Sequence, residues 1–542
     1  MKIVYDKELF KRYYKDIIKN IILLIVISIL SIVGPLLLKR IIDYNIQQGF
    51  NVRILGIYII VLTFLYVIKF LQNRFRFWFA EKFKNFETVN LYQKIFRISY
   101  EKINQMEPTY IAERVGSTVD TIFNLYCSSL TGIFVSALTM LLILIVVAGM
   151  NPWLAIMYFL QVPLQYFGFQ KLLNGEKSKL STLGNKLQTV RAKNNKDIKA
   201  VVSDVNSIKQ HSYANGLISF IKRCVKNINS TEREGNTYAM DICTALEYFS
   251  QILKNGSYIY IIYLYVTARV SIGDLVYLNL INDIYYNSIG NVINIQVNLR
   301  DLHGATKFVT DEIEKNYESD GHIEIGRIES ISGTISNIGY DNDTLITEGK
   351  FEFVSGDVIA LTGKSGSGKS TFVKLLNKFI ESKGILVNGY HLSDISNHSL
   401  RKRVFYLAQT SYLLPFSIKE NIALGESYSS EKWNELLKME FMEKFICHEN
   451  GLDAIVYENA ANLSGGDKQK IMLGRIFLQD PDIIILDESF SAIDEETGEE
   501  IIDRIVKMYH DRIVIIISHS DKFLRNCNKK MIIEDKKLFQ IT

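Results

Sequence analysis

Six apolar runs punctuate the first three hundred residues of this 542-residue chain: Ile17 to Leu38, Ile54 to Phe70, Leu130 to Gly149, Pro152 to Phe169, Ala245 to Val266 and Leu275 to Val297. At 1.5 Å per helical residue, runs of this length match the roughly 30 Å of hydrocarbon in a bilayer. They are six candidate membrane spans. The last two are the least apolar, because Glu247, Lys254, Asn279, Asn282 and Asp283 interrupt them. They are retained because six spans return both ends of the domain to one side.

Composition hides this division, since 48% hydrophobic and 22% charged residues are ordinary averages over an apolar half and a soluble half. Lys7, Lys11, Arg12, Lys15 and Lys19 precede the first span. Arg74, Lys82, Lys84, Lys177, Lys179, Lys193, Arg300 and Lys307 follow the second, fourth and sixth. The positive-inside bias then places both termini in the cytoplasm. Lys39 and Arg40 oppose it, and snorkelling at a helix end accommodates them. A net charge of +4 is small for this length and does not imply nucleic-acid binding. Cys127, Cys224, Cys243, Cys447 and Cys527 show no paired metal spacing, and their odd number argues against a disulfide framework. The first apolar run is too long for a signal peptide and has no small-residue cleavage site, so it reads as a retained anchor.

The links on the outer side are short, whereas Leu71 to Ser129 and Gln170 to Thr244 are each roughly sixty to seventy-five residues with few helix breakers. Each is expected to form a helical hairpin reaching about 30 to 45 Å from the membrane. The expected division is a transmembrane domain at 1–305, a linker at 306–322 and a second domain at 323–542.

From Ile323 the pattern turns to short β-rich runs punctuated by Gly, Asn and Asp. Asp357 to Leu361 reads as a buried strand and Thr371 to Phe379 as a helix, with Gly363-Lys364-Ser365-Gly366-Ser367-Gly368-Lys369-Ser370-Thr371 between them. That is the context a phosphate-binding P-loop requires. Backbone N–H groups and the helix N-terminus would cradle phosphates, Lys369 would reach the β and γ phosphates, and Ser370 would ligate Mg²⁺. Ile483 to Leu486 is a short apolar strand ending in Asp487 and Glu488, one carboxylate to hold the metal and the next to polarise water. The fold class is therefore an all-α six-helix transmembrane domain joined to an α/β P-loop NTPase domain.

With Leu463-Ser464-Gly465-Gly466 and Ser518-His519 added in this order, the chain resembles the ATP-binding cassette (ABC) transporters of exporter type. The resemblance makes His519 the switch that contacts the γ-phosphate, Gln409 the sensor of Mg²⁺ and attacking water, and Tyr340 the ring that stacks on adenine. It places Asp494 at the subunit boundary. It also implies that Leu463, Ser464, Gly465 and Gly466 complete the ATP site of a second copy, so the working unit is a dimer: a homodimer is favoured and a heterodimer with another half-transporter stays open. Asp467 stands where the family usually has Gln, which puts a carboxylate near the ribose. Short coupling helices are expected near Glu107 to Arg114 and near Asp204 to His211, and Ser271 to Leu275 also resembles the family.

The expected function is ATP-driven export of a peptide, drug-like or lipidic cargo by a multi-pass protein of the cell membrane, embedded in lipid and without nucleic acid. An importer on the same fold is the alternative, and a nucleotide-gated channel or sensor is more distant. No peptidase-like stretch precedes the first span, so a fused leader-cleaving function is not expected. The polar residues within the last two spans either line a route for polar or cationic cargo or serve helix-to-helix hydrogen bonding.

Overall fold

The computed structural model describes residues 6–48, 51–174, 177–203, 214–340, 343–409, 412–447 and 449–541. Contacts divide the chain into two units: Met1–Arg97 with Met106–Asn316, and Ile98–Gln105 with Tyr317–Thr542.

The first unit is helical. Its helices are α1 (Asp6–Gln48), α2 (Val52–Ile95), α4 (Pro108–Asn124), α5 (Thr131–Met150), α6 (Pro152–Asn174), α7 (Lys177–Ser203), α8 (Ala214–Val266) and α9 (Ile272–Lys307); α3 (Tyr100–Gln105) belongs to the second unit. A π-helical turn, Leu125–Leu130, joins α4 to α5. Every expected span lies within these helices, except that the third begins one residue earlier, at Leu130 in the π turn. With 44 and 53 residues, α2 and α8 are about 66 and 80 Å long, well beyond what a bilayer needs, so each carries its span onward into a hairpin arm. Among the described residues, three helices meet a strict standard of length and apolarity for crossing a membrane: Leu9–Ile46, Val52–Ile95 and Pro108–Met150. The other three are diluted by Gln161 and Gln165 in α6, Lys254 in α8, and Asn279, Asn282 and Asp283 in α9.

Ile143, Val147, Leu154, Tyr158, Ile261, Leu278, Ile281 and Tyr285 form the buried centre of this unit, with the rings of Tyr158 and Tyr285 stacked 4.6 Å apart. A capping box on Ser271 starts α9, its Asp274 lies 2.5 Å from Lys39 Nζ, and the Gly273 N–H donates to Asp43 at 3.0 Å. Lys39, which ran against the charge bias, is thus neutralised within the fold. The helical course also continues past Lys307 to Asn316 through a π turn and a 3₁₀ turn, so most of the expected linker is helical.

The expected first coupling segment shifts as well. Pro108 occupies the first turn of α4, where a missing N–H costs nothing, so Glu107 to Arg114 opens the returning arm. The short separate helix is α3, packed in the second unit: Tyr100 stacks on Phe379 at 4.5 Å, and Arg401 covers Phe379 while pairing bidentately with Glu318 at 2.7 and 2.8 Å. Asp204 to His211 lies outside the described residues.

The second unit is built on a ten-stranded sheet ordered β5-β4-β1-β2-β10-β9-β3-β8-β7-β6. The strands are β1 (Ser330–Tyr340), β2 (Asp343–Val354), β3 (Val358–Gly363), β4 (Ile385–Val387), β5 (Tyr390–His391), β6 (Val404–Leu407), β7 (Ile483–Asp487), β8 (Ile513–Ile517), β9 (Lys529–Glu534) and β10 (Lys537–Ile541). β3, β8, β7 and β6 pair in parallel. Their side chains alternate between two cores: Ile484, Leu486, Val514 and Ile516 face one, and Ile483, Ile485, Ile513 and Ile515 the other. Burial on both faces explains the unbroken apolar runs of β7 and β8.

Asp482 anchors the root of β7. It is fully buried, accepts from the Ile328 N–H at 3.0 Å, pairs with Arg512, and bonds through its own backbone to Arg403 and Ile513. Asp482→Ala leaves the buried Ile328 N–H uncompensated and takes from Arg512 its nearest carboxylate, with Asp480 and Asp511 remaining at 3.5 and 3.6 Å, and is expected to cost about 2 kcal/mol. Thermal unfolding of the detergent-solubilised chain checks this, and an unchanged transition would contradict the anchoring role.

Candidate functional site

The chemistry of the second unit gathers at the C-terminal ends of its parallel strands. β3 ends at Gly363, and the chain loops through Ser365 and Ser367 into the helix Lys369–Leu376, which contains Ser370 and Thr371. The loop is tight because Gly366 and Gly368 adopt φ of +77° and +104°, where a side chain is strained; a Cβ on Gly368 would also press on Ile346 at 3.2 Å. Lys369 is buried, and its ammonium donates to the carbonyls of Gly363 and Lys364 at 2.8 and 3.1 Å, which curls it back over the loop.

β7 delivers Asp487 and Glu488. Asp487 is hydrogen-bonded by Ser370 and by the Tyr406 hydroxyl, the latter at 3.1 Å. Burial pushes its carboxyl above the usual carboxylate range in spite of those bonds. Glu488 leaves the strand with φ of +49°, uncommon for a residue with a side chain and typical of strained functional positions. That turn aims its carboxylate between two other strand ends: Gln409, after β6, donates to one oxygen, and His519 Nε2, after β8, lies 3.2 Å from the other.

Four strand ends therefore bring Lys369, Ser370, Gln409, Asp487, Glu488 and His519 into one cluster. Ser367 Oγ is buried in the loop without a hydrogen-bond partner. An orphaned hydroxyl, a buried ammonium and a helix N-terminus suit a phosphate group. The Ser370–Asp487 oxygen pair suits Mg²⁺, whose charge would favour the ionised form of the buried carboxyl. Tyr340 ends β1, opposite Asp343, and its ring lies outside the described side chains.

Leu463, Ser464, Gly465 and Gly466 open a different helix, Gly465–Gln479, with Ser464 as its N-cap. A Cβ on Gly466 would meet the Ala492 carbonyl at 2.8 Å and one on Gly465 the Ala492 side chain at 3.0 Å, so the two glycines admit the loop after β7. Asp494, which ends that loop, is exposed and caps the helix Glu495–Met508 by accepting from the Thr497 N–H at 2.9 Å.

Family models match both halves: the ABC transporter transmembrane region at residues 17–288, half of the chain, and the ABC transporter domain at residues 346–491. The chain belongs to the ABC transporter family. Among curated relatives of this transporter, the sublancin-168-processing and transport ATP-binding protein SunT of Bacillus subtilis is 30% identical over 278 residues, 50% of this chain and 39% of that protein. The chain thus spans well under two thirds of that relative's length. The putative multidrug export ATP-binding/permease protein YgaD of the same species is 24% identical over 98% of this chain and 94% of its own length. A solved bacterial Atm1-family ABC exporter with ATP bound superposes with a TM-score of 0.83 at 17% identity, covering 98% of this chain and 95% of that one. The fold is that of an ABC exporter.

Asp467, the transporter's departure from the family pattern, has a local role that the sequence reading did not foresee. It sits at N3 of the helix it helps to cap: its N–H donates to Ser464 Oγ at 3.1 Å, its carboxylate accepts from the Ser464 N–H at 3.3 Å, and Lys444 clamps that carboxylate at 2.7 and 2.8 Å. Burial acts to raise its pKa, but the hydrogen bonds from Lys444 and Ser464 prevail and hold it below the ordinary range. The S-x-x-D spacing of a capping box was the available signal. Gln469 was also missed; buried two residues later, it ties this helix to Ser491 and the Ala492 N–H at 3.1 and 3.0 Å. Nothing in a lone glutamine marks such a contact.

Asp467→Ala is expected to cost about 1 kcal/mol of stability through loss of the cap. A depressed carboxyl contributes fully above the unfolded value, near pH 4, and loses its effect only as pH falls further. The gap between wild type and variant in thermal unfolding should therefore stay constant from about pH 5 to 8, and a gap that closes within that window would contradict the assignment.

Proposed function

We propose that this chain is a half-transporter that exports its cargo by ATP-driven alternating access, working as a dimer whose two ATP sites are each divided between copies. The observation that carries this reading is the seat of Glu488, held between Gln409 and His519 beside the Asp487–Ser370 pair. A carboxylate so placed takes a proton from an attacking water, while Gln409 and His519 fix its direction and His519 donates toward the γ-phosphate. Lys369 turns from the loop carbonyls to the β and γ phosphates, and the loop N–H groups hold them in place. Mg²⁺ held by Ser370 and Asp487 would neutralise charge on the phosphates.

Ser464 supports the divided site. Its oxygen accepts from the Asp467 N–H and its hydroxyl bonds the Asp467 carboxylate, so it would have to turn outward, alongside the N–H groups of Gly465 and Gly466, to meet a triphosphate on a second copy. Closure on nucleotide does work only if it differs between inward- and outward-facing states. Helix α3, stacked in the nucleotide-binding unit through Tyr100, would pass that difference to the arms formed by α2 and α4. Residues 1–305 would form the transmembrane domain and 323–542 the nucleotide-binding domain, on the cytoplasmic side of the cell membrane. Export, rather than import or a gated channel, is favoured by what the relatives' names say of those proteins.

Glu488→Gln is expected to retain ATP binding while lowering ATP turnover about 100- to 1000-fold, measured on purified protein in lipid. Undiminished turnover would remove Glu488 as the base. In inside-out vesicles, ATP-dependent accumulation of cargo inside marks export, and depletion marks import.

A further inference from the structure

Polar side chains in membrane helices turn toward protein, a cavity or water, because lipid offers them no partner. On α9, Asn279, Asp283, Asn287 and Asn291 recur every four residues; the first two are half-buried and the last two exposed. On α8, Gln251 and Asn255 are exposed one turn apart. The two stripes join at Asp283, which lies 2.6 Å from Lys254 Nζ and accepts from the Tyr258 hydroxyl. That pairing removes the net charge at the join and leaves amides as the exposed polar groups around it. Glu247, two residues into the expected span, is the remaining exposed acid of α8 there. Beneath this face, the side-chain carbonyl oxygens of Asn279 and Asn282 are buried and lack hydrogen-bond partners, and Asn282 is fully buried.

Resting on the exporter reading, we propose that this α8–α9 face binds an extended, peptide-like segment of cargo that carries no strong net charge. An amide side chain both donates and accepts, as each peptide group does, and so meets backbone rather than a particular side chain. Successive positions on the α9 stripe rise by about 6 Å, close to the roughly 6.7 Å two-residue repeat of an extended chain. A lipid tail gains nothing from exposed amides. A cationic compound finds Asp283 already compensated.

The test uses the full chain in nanodiscs without nucleotide, and a fluorescein-labelled, end-capped peptide of about ten Gly, Ser, Ala and Asn residues, long enough to span the stripe when extended. Binding is read by fluorescence anisotropy, next to lysine-rich and glutamate-rich versions and a labelled phospholipid. The neutral peptide should bind best. Asn287→Leu combined with Asn291→Leu should weaken it about tenfold, while Gln at both positions should restore most of the affinity. Equal or tighter binding of the lysine-rich peptide or the phospholipid, no binding of the neutral peptide, or leucine variants that bind normally would overturn the assignment. Dissociation of the dimer by the leucine variants, read by light scattering, would also overturn it by making a second copy the occupant. ATP turnover is measured in the same samples: turnover without peptide binding defeats the cargo inference alone, whereas absent turnover defeats the exporter reading.

Discussion

Parallel pairing of β3, β8, β7 and β6 controls every chemical distance in the nucleotide-binding unit. Ile483 to Leu486 and Ile513 to Ile517 are almost wholly buried on both faces, so a slip of one residue would exchange two closely packed cores, pull Asp482 from its partners and drive Asp487 into an apolar layer. With the register locked by apolar packing, the groups just beyond the strands fall together without further adjustment. Lys369 and Ser370 follow β3, Gln409 follows β6, Asp487 and Glu488 end β7, and His519 follows β8. The polar cluster is a by-product of an isoleucine-rich sheet, and the buried Asp482 at the opposite end of β7 keeps that strand from sliding.

The helical unit solves a different problem. Its long helices carry the bundle beyond any bilayer thickness, and part of their polar interruptions is paired, Lys39 with Asp274, Lys254 with Asp283 and Gln161 with Ser257, whereas Gln165, Asn279 and Asn282 keep buried atoms without a partner. These pairs explain why α6, α8 and α9 are less apolar than a lipid-facing helix. Neutralised pairs hold helices together without committing the interior to a fixed charge.

Much of this could be read from the chain because its signals rest on local physics. Apolar run length predicted long helices where they are found, and the glycine-rich stretch predicted a tight loop between a strand and a helix, both from contacts between near neighbours. The resemblance named Gln409, His519 and Glu488 for separate roles; their meeting, with Gln409 and His519 against the two oxygens of Glu488, came only with the structure. What escaped the sequence depended on contacts across it. Lys444 reaches Asp467 from 23 positions away, and Tyr406 reaches Asp487 from 81, with no periodicity to announce either. The first coupling segment, expected near Glu107 to Arg114 from resemblance, was misplaced because Pro108 opens the helix that follows and the short separate helix precedes it. Asp467 looked like a substitution facing nucleotide; it completes the cap of the serine beside it.

The central claim, that each ATP site joins the loop of one copy to the serine of another, is tested most directly by mixing subunits. Lys369→Ala and Ser464→Arg chains are each expected to be inactive as homodimers, but a mixed dimer contains one site with both groups intact. The account predicts that mixing the two variants restores ATP turnover, and that pairing wild type with the doubly substituted chain spoils both sites of that dimer. If the mixed variants stay as inactive as the separate ones while the wild-type and double-variant pair keeps half of the turnover, each chain works alone and the divided site is wrong.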